Sequence, residues 1–554
     1  MYNILIGGAA GQGIDTTVAI LEKLLKYSGY YIYTTKDFMS RVRGGHNFAM
    51  LRFGMEEITS HSRKLDGIIA LNHETIDLHK DKLTSQGFIL CDSSILKEEE
   101  DKRIISIPMG VKAKELGNAK AAGSIAVGAV LKLFHESLDG VEAVLSSVMK
   151  KEILDVNVRA IAAGFESVES KYPHLEGKFK EYMLISGNKA LGLGAIAGGL
   201  KFYSAYPMSP STGVMEYLAS VGNEAGVVVE QAEDEIAAVN MALGASYAGA
   251  RAMTGTSGGG FCLKVEALGF SGIAEIPLVV VDVQRPGPAT GLPTRTEQSD
   301  LKFVIAASQG EFPRMVIALR NQEDAFYQTV RGLQLAEKYQ IPVILLSDQY
   351  LGDSIASVKP FDVSGITLNG PATEEDGEYL RYRITKDGIS KRLIPGLTKH
   401  LVSADSDEHD ERGWITESAE VRNQMMDKRM RKLDGLVEEL LEPELIGEED
   451  CHTLLLGWGS TYGPIKEAIG ILNKKKGGFG ALVFGDIYPL PKKKLLKYAE
   501  KRNLIDVEQN ATGQLASLIR EQTGIACHGS ILKYDGRQIS GEEIVEEILK
   551  GGLS

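Results

Sequence analysis

Between residues 187 and 350 the sequence alternates short apolar runs with helix-length segments, and that alternation limits the fold more than any other feature of the chain. "KFYSAY" and "VVVEQ" lead into the Ala-rich "EDEIAAVNMALGASYAG". "ARAMTGTS", "GGGFCLKVEALGFSG" and "IPLVVVDV" follow. A near-continuous Val/Ile/Leu run has no polar side to turn to water, so it belongs to a strand covered on both faces. Strands of that kind alternating with helices build an α/β, doubly wound parallel sheet.

Open parallel sheets bind ligands outside the carboxyl ends of their strands, so the residues that follow each strand carry the functional information. "KFYSAY" is followed by "PMSPST", a hydroxyl-rich turn stiffened by two prolines, which fix φ and push their predecessors out of helix. "VVVEQ" is followed by "AEDE", "TGTSGGG" completes the strand "ARAM", and "QRPGPATGLPT" follows "LVVVDV". Each end has a plain structural use as well. Acids in a first turn favour the helix dipole, a glycine run makes a turn, and one arginine is a surface charge. Four such ends on one sheet edge point to a ligand crevice.

At 554 residues the chain has room for three or four domains of about 150 residues each. The first block opens with the strand "YNILI", the loop "GGAAGQG" and the helix "IDTTVAILEKLLKYSG". Its glycines run G-x-x-G-x-G from Gly8 to Gly13, not G-x-G-x-x-G, so a tight strand-to-helix turn competes with a nucleotide site. The expected divisions are 1–182, 183–356, a charge-dense connecting segment 357–450, and a last α/β block 451–554. The acids around His409 admit a metal site, but contiguous acids without helical or strand spacing read as a solvated loop.

The formal net charge of −13 leaves no basic face for a nucleic acid. Cys91, Cys262, Cys451 and Cys527 are scattered, with no CxxC, so the sequence offers no iron–sulfur or zinc ligand set. Scattered cysteines fit a reducing compartment. "MYNILIGGAAGQG" has no basic n-region, and no uncharged apolar run approaches the roughly 20 residues that span a bilayer. A cytoplasmic protein without membrane attachment is expected.

At the strand ends the sequence resembles a known family. "YPMSPST", "EQAEDEIAA", "TSGGGF" and "VQRPGPATGLPT" are similar to the alpha subunit of 2-oxoacid:ferredoxin oxidoreductases, which are thiamine-diphosphate enzymes. "GGAAGQG" and "SRVRGGHN" resemble that family's gamma subunit, here fused ahead of alpha. "SDEHDERG", "GWGST" and "VEQNATGQ" extend the likeness over nearly the whole chain. Ser209 departs from the pattern, since the family usually has Thr there, but a hydroxyl is retained.

The resemblance implies a gamma-type domain, a pyrimidine-binding-type domain and a transketolase C-terminal-like domain. It also implies oxidative decarboxylation of a 2-oxoacid to an acyl-coenzyme A, with electrons passed to ferredoxin. Arg285 would take the substrate carboxylate, with hydroxyls from Ser209 and Thr294 around it. Glu235, chosen over Glu233 and Glu230, would hydrogen-bond the aminopyrimidine ring of thiamine diphosphate. Tyr206 and Pro207 would line the cofactor pocket, and Arg41 and Arg43 would lie near coenzyme A. No GDG triplet and no Asn-Asn pair occurs in the sequence. The diphosphate, Mg²⁺ and iron–sulfur cluster are therefore expected on a separate beta subunit, in a dimer of heterodimers. 2-Oxoglutarate is the first choice of substrate, before pyruvate or branched-chain oxoacids. Two readings of other classes compete: a stand-alone nucleotide-binding oxidoreductase using "GGAAGQG", and a non-catalytic scaffold.

Overall fold

The apolar runs of the first block become the strands β1 (Tyr2–Ala9), β2 (Tyr31–Asp37), β3 (His46–Gly54), β4 (Leu65–Ala70), β5 (Leu83–Asp92), β6 (Ile104–Ile107) and β7 (Met183–Ser186). They belong to a computed structural model that describes residues 1–40, 45–96 and 101–551. With β14 (Ile355–Val358) they make an eight-stranded sheet of order β6-β5-β4-β1-β3-β2-β14-β7. β1, β4, β5 and β6 pair in parallel. β3 runs antiparallel to both β1 and β2, and β14 antiparallel to β2. A short link between β2 and β3 permits this, because only parallel neighbours need a long crossover.

This unit comprises Met1–Ile185 together with Ser354–Pro360. On it the helices Ala122–Leu133 and Lys151–Phe165 cross closely, because a Cβ at Gly128 would stand 1.9 Å from the Ile161 carbonyl oxygen. The glycine loop after β1 is a strand-to-helix turn closed by Gln12. Its Oε1 accepts from Ala9 N at 2.7 Å, and its Nε2 donates to Leu71 O at 3.2 Å.

The second unit, Ser186–Asp353 with Phe361–Ser554, holds two sheets. The larger contains β8 (Phe202–Ala205), β9 (Val228–Gln231), β10 (Ala252–Thr256), β11 (Leu278–Gln284), β12 (Met315–Ala318), β13 (Pro342–Asp348) and β18 (Asp486–Tyr488), in the order β18-β12-β13-β11-β10-β8-β9. All pairs are parallel except β12 with β18. Every residue of β11 and β13 is buried, as their mostly apolar sequences suggest, with Asp282, Gln284, Ser347 and Asp348 as buried polar members.

The smaller sheet has β15 (Glu444–Gly447), β16 (Thr453–Trp458), β17 (Phe479–Phe484), β19 (Asn503–Glu508) and β20 (Gly529–Leu532), in the order β15-β17-β16-β19-β20. One hydrophobic core runs through both sheets, with Val280 and Leu456 among its members. Gln298 joins them in polar terms. Its side chain donates to Trp458 O at 2.8 Å and accepts from Gln509 N at 3.1 Å, while its backbone N donates to Gln509 O at 2.7 Å.

The charge-dense segment corrects one expectation. The acids around His409 do lie in a loop, with Asp407 exposed, but the loop is not wholly solvated: His409 is fully buried, its ring centroid 4.0 Å from that of Tyr382. Glu408 accepts two bonds from Arg429, at 3.0 and 2.7 Å. "MMDKRMRKLDG" lies in the helix Ala419–Glu438, whose Lys428 and Lys432 are also buried. Each meets one oxygen of the buried Glu275, at 2.5 and 2.6 Å. Charges enter a core when a partner compensates their lost hydration, and pairing between distant positions leaves no trace in local composition. Among the described residues no group of three His, Cys, Asp or Glu side chains is arranged to hold a metal ion, and no helix is long and apolar enough to cross a membrane.

Candidate active site

β9, β8, β10 and β11 are consecutive neighbours, so the four polar strand ends meet along one edge of the larger sheet. The turn after β8 carries Tyr206, which is 40% exposed, the half-buried Pro207 and the exposed Ser209. From the end of β11, Arg285 Nη1 donates to Ser209 O at 2.6 Å. Among the described residues this is the one hydrogen bond of that guanidinium, so the rest of its fork remains open to a ligand. Half-burial lowers the Arg285 pKa without removing its charge. Neither the Ser209 nor the Thr294 hydroxyl takes part in a hydrogen bond among the described residues. Thr294 lies half-buried in the loop that follows Arg285.

Glu235 opens the helix Glu235–Tyr247 just after β9. Asp234 starts that helix, its side chain accepting from Ala237 N at 2.7 Å. Glu235 is 4% exposed, and its Oε1 is buried without a partner. Buried carboxylate oxygens are ordinarily paired, so this one can still accept a hydrogen bond. The glycine run gives it room. A Cβ at Gly260 would stand 2.5 Å from Glu235 Oε1 and 2.2 Å from Thr256 Oγ1, at the end of β10. Glu233 and Glu230 are exposed. Of the three acids, only Glu235 combines burial with a free oxygen.

Two features escape a reading of the sequence by segments. Lys264, between the helices Gly258–Phe261 and Val265–Ile273, is 0% exposed. Its Nζ donates to Glu235 O at 3.2 Å and to Thr254 Oγ1 at 3.0 Å. The signal is its register: Phe261, Lys264 and Leu268 fall at helical spacing on one apolar face. The second is an acid pair. Burial and the neighbouring Asp300 push the Asp282 carboxyl well above the usual range, while burial raises Asp300 to about 6. Asp300 lies against the glycine run, since a Cβ at Gly258 would be 2.4 Å from its Oδ2. No spacing in sequence joins Asp282 to Asp300. Arg41 and Arg43 lie outside the described residues.

The arrangement combines a buried acceptor, a guanidinium held by one nitrogen, and unpaired hydroxyls on one sheet edge. Chemically, the open carboxylate oxygen can accept a hydrogen bond from a ligand, and the free part of the guanidinium can donate to an anion. Comparison with known proteins places the chain among relatives. Residues 193–428 match the family model "Pyruvate flavodoxin/ferredoxin oxidoreductase, thiamine diP-bdg", and residues 3–167 match "Pyruvate ferredoxin/flavodoxin oxidoreductase". The chain is 32% identical to a 2-oxoacid:ferredoxin oxidoreductase subunit alpha from Sulfolobus, over 99% of this chain and 96% of that one. It is 32% identical to the 2-oxoglutarate synthase subunit KorA of Archaeoglobus fulgidus, over 67% of this chain and all of that one. A solved structure of 2-oxoglutarate:ferredoxin oxidoreductase from Magnetococcus marinus, with 2-oxoglutarate, coenzyme A and succinyl-CoA bound, superimposes with a TM-score of 0.92 at 32% identity, covering 100% of this chain and 99% of that one.

Proposed function

The chain belongs to the 2-oxoacid:ferredoxin oxidoreductase family, as an alpha subunit with the gamma-type segment fused ahead of it, and from that premise we propose that its substrate is 2-oxoglutarate. The enzyme decarboxylates its 2-oxoacid oxidatively, yields an acyl-coenzyme A, and passes two electrons to ferredoxin. The observation that carries the site is the unpartnered, buried Oε1 of Glu235, which lies against Gly260 of the glycine run. The choice of 2-oxoglutarate rests on the names of the relatives, with pyruvate or a branched-chain oxoacid as the alternative.

The residues fit thiamine diphosphate. Its thiazolium supplies the electron sink for decarboxylation. Glu235 Oε1, which has no intramolecular partner, would meet the ring nitrogen of the aminopyrimidine, and the missing side chain at Gly260 leaves the Glu235 carboxylate uncrowded. Tyr206 and Pro207 line the same pocket. Arg285 grips the substrate carboxylate through the part of its fork that Ser209 leaves free, because a guanidinium binds two oxygens in a fixed plane. Ser209 and Thr294 add hydroxyl donors, and Arg41 and Arg43 take coenzyme A. A separate beta subunit supplies the diphosphate and Mg²⁺ ligands and the iron–sulfur cluster. What supports this division is the absence from the sequence of a GDG triplet, an Asn-Asn pair and grouped cysteines. A dimer of such heterodimers, acting in the cytoplasm, completes the reading, with divisions near residues 182, 356 and 450.

The test is co-expression with the beta subunit, followed by 2-oxoacid-dependent reduction of a viologen dye. The expected result is activity only in the complex, with kcat/KM highest for 2-oxoglutarate. Dye reduction by this chain alone, supplied with thiamine diphosphate and Mg²⁺, would refute the division of labour. A higher kcat/KM with pyruvate would refute the substrate.

A further inference from the structure

The lysine beneath the glycine run has no part in the reading above. We propose that Lys264 is a positioning residue: its ammonium ties the first turn of the helix Glu235–Tyr247 to β10 and so fixes the Glu235 carboxylate against the cofactor ring. The proposal rests on the assignment of Glu235 given above.

Three observations carry it. Lys264 is 0% exposed, and the Thr254 that receives one of its bonds is 0% exposed within β10. Its other bond, at 3.2 Å, goes to the backbone oxygen of Glu235 itself, so one side chain spans the strand and the functional residue. No carboxylate lies within ion-pair distance of it among the described residues, which leaves the ammonium desolvated and held by two neutral acceptors.

A purely structural demand at this place is met more readily by methionine, which fills a gap of the same length without a charge to dehydrate. The charge is retained for what it holds. Burial lowers the Lys264 pKa to about 8, against the pull of Glu235 and Asp234, the titratable groups that act on it. Lys264 therefore stays protonated below that pH. As pH rises through about 8 it becomes a neutral amine with one donor fewer, and the tie weakens.

The test uses the complex with the beta subunit and measures the dissociation constant of thiamine diphosphate by calorimetry across neutral to alkaline pH, together with the melting temperature. The wild type is expected to bind less tightly above a pH of about 8. Lys264→Arg, which keeps its charge throughout, should bind as the wild type does at neutral pH and lose the alkaline decline. Lys264→Met should bind roughly tenfold more weakly at neutral pH, the loss of one charge-assisted hydrogen bond, with no decline and an unchanged melting temperature.

Wild-type affinity and pH dependence in Lys264→Met would overturn the proposal. A lowered melting temperature in Lys264→Met with an unaltered alkaline decline in Lys264→Arg would make the lysine structural, and would overturn it as well. Glu235→Gln separates the two assignments. If it binds thiamine diphosphate as the wild type does, the Glu235 reading fails and this proposal with it. If Glu235→Gln loses affinity while Lys264→Met retains it, only the role of Lys264 fails.

Discussion

Arg285 is held at one nitrogen by the Ser209 carbonyl, which leaves its remaining donors open, as the proposed grip on a substrate carboxylate requires. Charge-assisted hydrogen bonds contribute about 1.5–3 kcal/mol each. Arg285→Ala in the assembled enzyme should therefore lower kcat/KM for the 2-oxoacid by about ten- to a few hundred-fold. Arg285→Lys keeps the charge but loses the planar fork and should recover only part of that loss. Thiamine diphosphate affinity should change little in either variant. Steady-state kinetics and calorimetry on the same preparations check both halves; if Arg285→Ala abolishes cofactor binding first, the residue does not serve the substrate.

The larger sheet was legible in the sequence because its central strands are buried on both faces, and "IPLVVVDV" reports that burial through a run apolar but for Asp282. The four strand ends were legible for the same reason: once the strands are known, their carboxyl ends are known. The segment around His409 was not, since its stability comes from pairs such as Glu408 with Arg429 and Glu275 with Lys428, whose members are far apart in the chain. β19 offers a further case. Asp506, its carboxyl oxygens buried without partners, is raised to about 9 by burial and by the neighbouring Glu508. The folded chain thus keeps a proton on Asp506 that the unfolded chain releases above a pKa of 3.8. The unfolded form gains from ionisation as pH rises from there through about 9, and this element loses stability over that window. Asp506→Asn removes the titration. It should stabilise the chain by about 1–3 kcal/mol at pH 8 and far less at pH 5. Thermal melts at the two pH values check the difference; equal shifts would mean that Asp506 is ionised in the folded protein.

On the scale of the molecule, the helix that begins with Glu235 exposes two large apolar side chains. Ile236 is 52% and Met241 42% exposed, and on the adjoining edge strand Val228 is 59% exposed. Exposed apolar side chains near the candidate site are where the proposed beta subunit would be expected to dock. Ile236→Asp combined with Met241→Asp should abolish co-purification with the beta subunit while leaving the melting temperature of this chain within a few degrees of the wild type. Size-exclusion chromatography of the co-expressed chains checks this, and an intact complex would place the partner on another face.

The first unit is not a contiguous length of chain. β14 is contributed from residues 355–358, and it lies between β2 and β7 in the sheet. A gene split after residue 185 would encode a sheet whose β2 edge has lost its neighbour, a row of open donors and acceptors available to any other strand. A single cut there would turn β14 from an intramolecular strand into one lent by a second chain, so the first piece would depend on the second to cover its β2 edge.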